Sequence, residues 1–429
     1  MLKPIRIDDL SPEERAGVLI RSSESVFGVF DQVRAEVEKV RKQGDEYILE
    51  HYTKHKADIT PADLVASQEE IEAAYGLLSD EAVAALKKAR DNITRFHEAQ
   101  MERPMWTMEN TPGVILGRMT TAVEAVGCYA PGGTAFYPSS VLMTIIPAKV
   151  AGVDKVVVVT PPQEGMTANP ATLIAADLCG AQMVIKVGGP WAVAALAFGT
   201  ETIPRVDKIV GPGNKYVTSA KLAVFGQVGI DSPAGPSESH ILADATAQPR
   251  WTALDLLSQI EHDPDAGAVL VTTSPDLAEA VCDLIEEMRP GLDRLEQIEA
   301  ALRQTHVLIA RDLDQAVDLA NDYAAEHLQI VTADPWALLP RIRHAGSIFL
   351  GPYAPVPVGD YASGTNHVLP TGGAARIFSG LSVDDFLKKP TFQYLSREGL
   401  AGLKETVASL AQVEGLPLHA AAVAARFED

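Results

Sequence analysis

The sequence predicts two α/β domains, each built on a parallel sheet, with small helical segments at both ends of the chain. Two observations carry this. Apolar runs of strand length alternate with helical patterns in two consecutive series between Val123 and Leu350, the signature of βα units on parallel sheets. The regions before about residue 120 and after Ser382 lack such runs and show helical spacing instead.

Taken in order, Val26–Gln43 has helical apolar spacing and stops at Gly44. Ser67-Gln-Glu-Glu70 is a capping box that opens another helix, and Asp80–Met101 forms a longer one. Pro104, Pro112 and Gly113 punctuate the chain before an extended run, Val114–Met119. The first βα series has strands at Val123–Tyr129, Lys155–Thr160, Met183–Val187 and Lys208–Val210. Its helices are Ser139–Ala151, Asn169–Cys179, Trp191–Phe198 and Lys215–Phe225. The second has strands at Ser239–Ala243, Ala268–Thr273, His306–Ala310, His327–Thr332 and Ser347–Leu350, with helices at Trp251–His262, Pro275–Met288, Leu313–Glu326 and Pro335–His344. Continuous apolar runs are what strands covered on both faces require. Ser382–Asp429 reads as all helix and is too short for a core of its own.

Gly351–Gly373 holds five Gly and four Pro, a composition in which neither helix nor central strand is expected. It also carries Asp360, Ser363, Thr365, Asn366 and His367 among six large apolar side chains, too apolar for disorder. Long structureless loops in compact domains are usually functional, so this one is expected to face a site.

Lys plus Arg total 36 against 57 Asp plus Glu, a net charge of −21 that opposes nucleic acid or an anionic membrane as partner. The start has no apolar signal region, and no apolar run reaches membrane-spanning length. Cys128, Cys179 and Cys282 lie too far apart for a disulfide framework or a CxxC metal site. A cytoplasmic enzyme acting on small molecules is the expectation.

Gln259 and His262 are three apart at a helix C-terminus and share a face. A histidine there ordinarily interacts with the helix dipole, and Gln is an unusual zinc ligand. Glu326-His327 places an acid beside an imidazole where a helix meets a strand, so two proton acceptors could serve one site. His419, with Glu414 five residues before it, stands among Leu and Ala, where a lone His is usually structural. Pro131-Gly132-Gly133 and Gly211-Pro212-Gly213-Asn214 are turns of the kind that bring backbone N–H groups to phosphate, although neither fits GxGxxG. Gly235-Pro236-Ser237-Glu238 is a third such turn, between the two series. Cys128 invites a reactive-thiol hypothesis but has no basic neighbour to lower its pKa, so packing is its expected role.

Seven stretches together resemble histidinol dehydrogenases: YAPGGTAFYPSSVLM (129–143), VDKIVGPGNKYV (206–217), DSPAGPSE (231–238), DLLSQIEH (255–262), AEHLQI (325–330), GDYASGTNHVLPTGGAAR (359–376) and EGLPLH (414–419). The resemblance covers the chain from about Val26 onward and outweighs the ordinary roles given above to His262, Glu326, His327 and His419. It implies oxidation of L-histidinol through L-histidinal to L-histidine, the last steps of histidine biosynthesis, with two NAD reduced. It implies one zinc per subunit held by Gln259, His262, Asp360 and His419. It makes His327 the base for the alcohol proton and Glu326 the group that activates water. Ser237, Gln259, His262, His327, Asp360, Glu414 and His419 would contact substrate, with His367 a lesser candidate. Tyr129 and Asn214, with Trp191, would contact NAD.

The resemblance also implies incomplete Rossmann-like domains. Residues 1–25 form an N-terminal helical segment, 26–128 with 237–381 the zinc and substrate domain, and 129–236 the NAD domain. Residues 382–429 would form an arm exchanged within a homodimer.

The chain departs from the family pattern in places. Trp191, in GGPWAV, stands where a Gln is common, Ser239-His240 replaces an apolar pair, and Ile260 replaces Ala. A related zinc dehydrogenase of a sulfonated polyol fits less well, because a sulfonate would meet Asp360 and Glu414. A zinc hydrolase would be expected to carry HExxH, which this chain lacks, and the two Gly turns also argue against it.

Overall fold

The computed structural model describes residues 2–19, 26–132, 136–233 and 235–428. The chain divides into two compact units: Met1–Gln100 with Glu124–Phe386, and Met101–Val123 with Leu387–Asp429. Among the described residues no helix is long and apolar enough to cross a membrane.

The strands of the first unit begin with β1 (Pro4–Arg6), β2 (Ala125–Tyr129), β3 (Lys155–Val159), β4 (Met183–Ile185), β5 (Lys208–Val210) and β6 (Gly229–Ile230). They continue with β7 (Glu238–Ala243), β8 (Gly267–Thr272), β9 (His306–Ile309), β10 (His327–Val331) and β11 (Ser347–Leu350). Two parallel sheets result. One has five strands in the order β4-β3-β2-β5-β6, the other six in the order β1-β9-β8-β7-β10-β11. In each sheet the strand order reverses beside the first long strand, between β2 and β5 and between β7 and β10. At such a reversal the connections diverge and open a crevice. The helices used below are α1 (Asp80–Glu98), α2 (Pro138–Val150), α3 (Gly189–Phe198), α4 (Lys215–Val224), α5 (Pro249–Ile260) and α6 (Val356–Tyr361).

Burial explains why the long strands form where they do. β2, β7 and β10 are buried at every position, so only uninterrupted side-chain packing on both faces offsets the cost of ordering them. The turn after β5 is fixed by charge. Lys221 on α4 and Asp231 form a buried ion pair; Lys221 Nζ also donates to Gly211 O at 3.0 Å and Asp231 Oδ2 accepts from Gly211 N at 2.7 Å. Gly211 has φ +119°, and a Cβ there would collide with the Tyr129 carbonyl. The GPGN turn is thereby pinned against the end of β2.

The fold class agrees with the sequence, and several local expectations need correction. The N-terminal segment expected to be helical contains β1, which pairs with β9 and covers a sheet edge; its residues 20–25 lie outside the described ones. β2 belongs whole to the five-stranded sheet, because its neighbours β3 and β5 hold it on both sides, so a boundary at 128/129 would cut a strand. Residues 101–123 associate with the tail, not with 237–381. The tail is not all helix: Thr391–Leu395 pairs antiparallel with Val114–Met119, which pairs in turn with Met105–Thr111. That last strand is exposed throughout, so no buried alternation marks it in the sequence. Gly351–Gly373 also contains a short helix, α6. Pro357 falls in its first turn, where the missing N–H has no intrahelical partner to lose.

Removing one partner of a buried ion pair strands the other charge, at a cost of about 3–5 kcal/mol. Lys221→Met is expected to lower unfolding stability by about that amount in denaturant titration. Lys221→Met with Asp231→Leu should recover part of the loss.

Candidate active site

Glu326 and His327 stand at the amino end of β10, beside Glu238 at the amino end of β7. The preceding residue but one, Ala324, ends helix Leu313–Tyr323 in the left-handed region at φ 51°, a conformation that costs a non-glycine residue about 1–2 kcal/mol. The turn delivers Glu326 into a dry position, 6% exposed, beside His327 at 5%. Two crossed hydrogen bonds tie the neighbouring strands: Glu238 N donates to Glu326 Oε2 at 2.9 Å, and Glu326 N donates to Glu238 Oε1 at 3.2 Å. Ser237 adds a side-chain hydrogen bond to the Glu326 carboxylate.

Only a ring N–H can donate to a carbonyl, so His327 Nδ1, 3.3 Å from Glu238 O, carries the proton. In the neutral ring Nε2 then holds the lone pair, whereas in the imidazolium form favoured by the two neighbouring carboxylates it carries a second N–H. It has no hydrogen-bond partner and lies 3.6 Å from Asp360 Oδ1, while Nδ1 is 3.7 Å from Glu326 Oε2. Burial pushes the Glu326 carboxyl up to about 7, against the pull of His327. Burial alone would lower His327, but the Glu326 and Asp360 carboxylates outweigh it and hold the imidazole at about 9. For Asp360 burial acts upward and the interactions with His327 outweigh it, so its carboxyl stays below the usual range. These groups exchange protons as a set.

α5 runs back from the far end of β7, so its C-terminus returns to the same amino edge and brings Gln259 and His262 there. Gln259 is 3% exposed, and neither its Oε1 nor its Nε2 has a hydrogen-bond partner. Leaving a buried polar group unsatisfied costs about 1–3 kcal/mol, so an amide with both atoms unpartnered is suited to a ligand. His262 is held below its ordinary pKa, chiefly by burial, and feels the charges of Asp360 and His327. Asp360 comes from α6. Gln259, His262, Glu326, His327 and Asp360 thus share the amino edge of one sheet, with Ser237 at its margin. Glu414 and His419 belong to the second unit and are exposed there.

Among the described residues, no three His, Cys, Asp or Glu side chains are grouped to hold a metal. The expected donor set is of another kind, with His262 and Asp360 in the first unit accompanied by the carboxamide of Gln259. An unpartnered buried Gln oxygen, an imidazole and a carboxylate suit a borderline cation such as zinc, so the residues present fit one.

The nucleotide candidates lie at the carboxyl edge of the other sheet. Tyr129 ends β2, and its hydroxyl accepts from Gly189 N at 3.0 Å. Asn214 follows β5 and caps α4, its Oδ1 accepting from Tyr216 N and Val217 N. They flank the strand-order reversal, where ligands of open α/β sheets bind. Gly133 of the Pro131-Gly132-Gly133 turn lies outside the described residues. Trp191 at the start of α3 donates its indole N–H to Glu36 Oε2 at 3.0 Å and stacks on His51, with ring centroids 3.7 Å apart.

Glu238 went unassigned in the sequence. Its one visible mark is an acid opening a strand in which every residue is buried.

Two parallel sheets with reversed strand order and a buried acid–imidazole pair at one sheet edge define an α/β protein with the makings of an enzyme site. The histidinol dehydrogenase family model matches residues 19–427. A histidinol dehydrogenase of Methanosarcina mazei is 50% identical over 98% of this chain and 97% of its own length. One from Methanocaldococcus jannaschii is 48% identical over 99% and 98%. The crystal structure of histidinol dehydrogenase from Elizabethkingia anophelis superposes with a TM-score of 0.93 at 37% identity, covering 100% of this chain and 98% of that one. The chain belongs to the histidinol dehydrogenase family.

Cys128 is fully buried and its thiol is pushed up to about 12 by burial, so it takes no part in chemistry. In the native protein it is expected to resist iodoacetamide at pH 8 and to label on denaturation, as followed by peptide mass spectrometry. Cys128→Ala should retain activity within about threefold.

Proposed function

We propose that this chain oxidises L-histidinol through L-histidinal to L-histidine, using two NAD in turn and one zinc per subunit, in the cytoplasm as part of histidine biosynthesis. The observation that carries this is the buried Glu326–His327 pair, with His327 Nε2 3.6 Å from Asp360 Oδ1. Family membership supplies the substrate.

When bound, zinc would hold the amine and imidazole nitrogens of the substrate, and NAD would accept hydride. Gln259, His262 and Asp360, with His419, would hold the metal. Tyr129 and Asn214 would border the nucleotide, and the exposed edge of Trp191 would lie beside it. In its neutral form His327 takes the alcohol proton at Nε2 as hydride leaves carbon, giving the aldehyde. Glu326 takes a proton from water as its oxygen attacks the aldehyde carbon, and the proton held on His327 passes to the aldehyde oxygen, giving the hydrate and returning His327 to its neutral form. His327 then takes a hydrate proton as the second hydride leaves, giving the carboxylic acid, which ionises to the carboxylate by releasing its proton to water. Ser237 and Glu414 would flank the substrate. Carboxylates at the site attract its cationic amine.

The remaining donors are proposed to come from a second copy, so that His419 and Glu414 of the partner subunit complete each site. Trp106, Met108, Tyr394, Leu410, Val413 and Leu418 of the second unit are exposed, apolar surface suited to burial in a homodimer.

The two bases should separate by step. His327→Ala is expected to impair oxidation of histidinol, and Glu326→Gln to impair the histidinal step more, each by about 10²–10⁴-fold. Equal losses for both variants on both substrates would contradict this division.

Arm exchange predicts complementation. His262→Ala and His419→Ala should each be nearly inactive. Co-refolded, half the dimers would be mixed, each with one intact site, so roughly a quarter of all sites recover. Activity no higher than that of either variant, with mixed dimers confirmed by mass spectrometry, would rule out exchange.

A further inference from the structure

The loop that carries Asp360 and His367 is fastened from behind by residues with no assigned role. Downstream of α6 the chain runs along α1. Asn92 Nδ2 donates to Ala362 O at 2.8 Å. At Gly364, with φ +117°, a Cβ would come within 2.7 Å of Asn92 O and 3.3 Å of Phe96 Cβ, so loop and helix are in backbone contact. One turn further along α1, His97 is completely buried. Its Nδ1 donates to Ile93 O at 2.8 Å, which leaves Nε2 to accept from Asn366 Nδ2 at 3.3 Å. Burial holds the ring below the ordinary histidine pKa despite the carbonyls of Ile93 and Leu381.

Asn366 is the junction. The second N–H of its amide donates to Met143 O on α2 at 2.7 Å, and its Oδ1 accepts from Val368 N at 2.9 Å. Every hydrogen-bonding group of the side chain is thus used, binding α1, α2 and the loop at one point. The next residue repeats the pattern. His367 Nδ1 donates to Asp360 O at 2.9 Å and its Nε2 accepts from Ser140 Oγ, again on α2, at 3.1 Å. α2 follows β2, the strand of the nucleotide crevice.

We infer that Asn92, His97 and Asn366 are positioning residues that clamp the Asp360 loop between α1 and α2, fixing Asp360 relative to His327 and to the nucleotide-side sheet. None of them touches substrate in the proposed mechanism, on whose assignment of Asp360 this rests. A misplacement of about 1 Å at a reacting centre can cost 10²-fold, and loss of a group supporting a metal ligand costs about 10–100-fold in metal affinity or activity.

The test uses the full-length enzyme loaded with zinc and compares His97→Phe, His97→Gln, Asn92→Ala and wild type. A Gln retains one donor and one acceptor; Phe retains neither. Four readouts are taken: thermal midpoint, zinc retained per subunit after dialysis, deuterium uptake of peptides spanning residues 359–373, and separate KM values for histidinol and NAD. His97→Phe is expected to raise deuterium uptake in that loop and lower zinc retention. It should reduce kcat/KM for histidinol about tenfold or more while leaving KM for NAD within about twofold. His97→Gln should recover most of the loss, and Asn92→Ala should show the same pattern more weakly. Should His97→Phe fail to fold, His97→Gln and Asn92→Ala decide the matter. Unchanged loop exchange and zinc retention in the folded variants would overturn the clamp, as would losses that merely track the folded fraction. A wild type inactive on histidinol would instead overturn the proposed function, while loop exchange still reports on the clamp.

Discussion

The site depends on keeping a carboxyl group and an imidazole out of water and side by side. Glu326 and His327 could be buried separately only at a cost that would neutralise each; adjacent and crossed with Glu238, they share protons instead. That arrangement needs a strand beginning at this point, a neighbouring strand whose first residue is also acidic, and a helix end forced into the left-handed region at Ala324. The strain at Ala324 is compensated by a sheet buried on both faces.

The two sheets present opposite edges to chemistry. The nucleotide candidates occupy the carboxyl edge at the strand-order reversal, the usual place for a ligand in an open α/β sheet. The acid–imidazole pair uses the amino edge of its sheet, where α5 brings back Gln259 and His262. The proposed hydride transfer would need reacting atoms about 3–3.5 Å apart, and so a rigid connection between the sheets. The hydrogen bonds from Asn366 and His367 to α2 supply such a connection.

Most of the fold was legible because strands covered on both faces read as unbroken apolar runs; β5 and β11 match their expected limits, and the other long strands fall within two residues. The strands that escaped notice among the described residues are β1, β6, Met105–Thr111, Thr121–Ala122, Leu387–Lys388 and Thr391–Leu395. They are short, at an edge or solvent-exposed, where neither alternation nor an apolar run is enforced. The nearness of Gln259 and His262 could be read from spacing, although α5 ends at Ile260 and His262 falls beyond it; their role came from resemblance, since residue spacing does not reveal that an amide will be buried without partners. Glu238 and His97 left weaker traces still. A single acid opening an apolar strand and a His near the end of a charged helix are both ordinary in sequence, and only packing shows that each is enclosed.

Gln259 is the least obvious member of the site and the one that physical reasoning explains last. A carboxylate there would be a charge buried at the end of α5, near Asp360 and Glu326, and like charges at such range push one another toward protonation. The helix C-terminus would also oppose it, since its exposed carbonyls favour cations. A neutral amide avoids both penalties and still presents an oxygen. Its cost is two unsatisfied polar atoms, far less than an unpaired buried charge. The sheet edge can then keep Asp360 ionised below the usual carboxylate range while Glu326 stays near 7. Two carboxyl groups with separated proton affinities suit one to hold a cation and the other to take a proton from water.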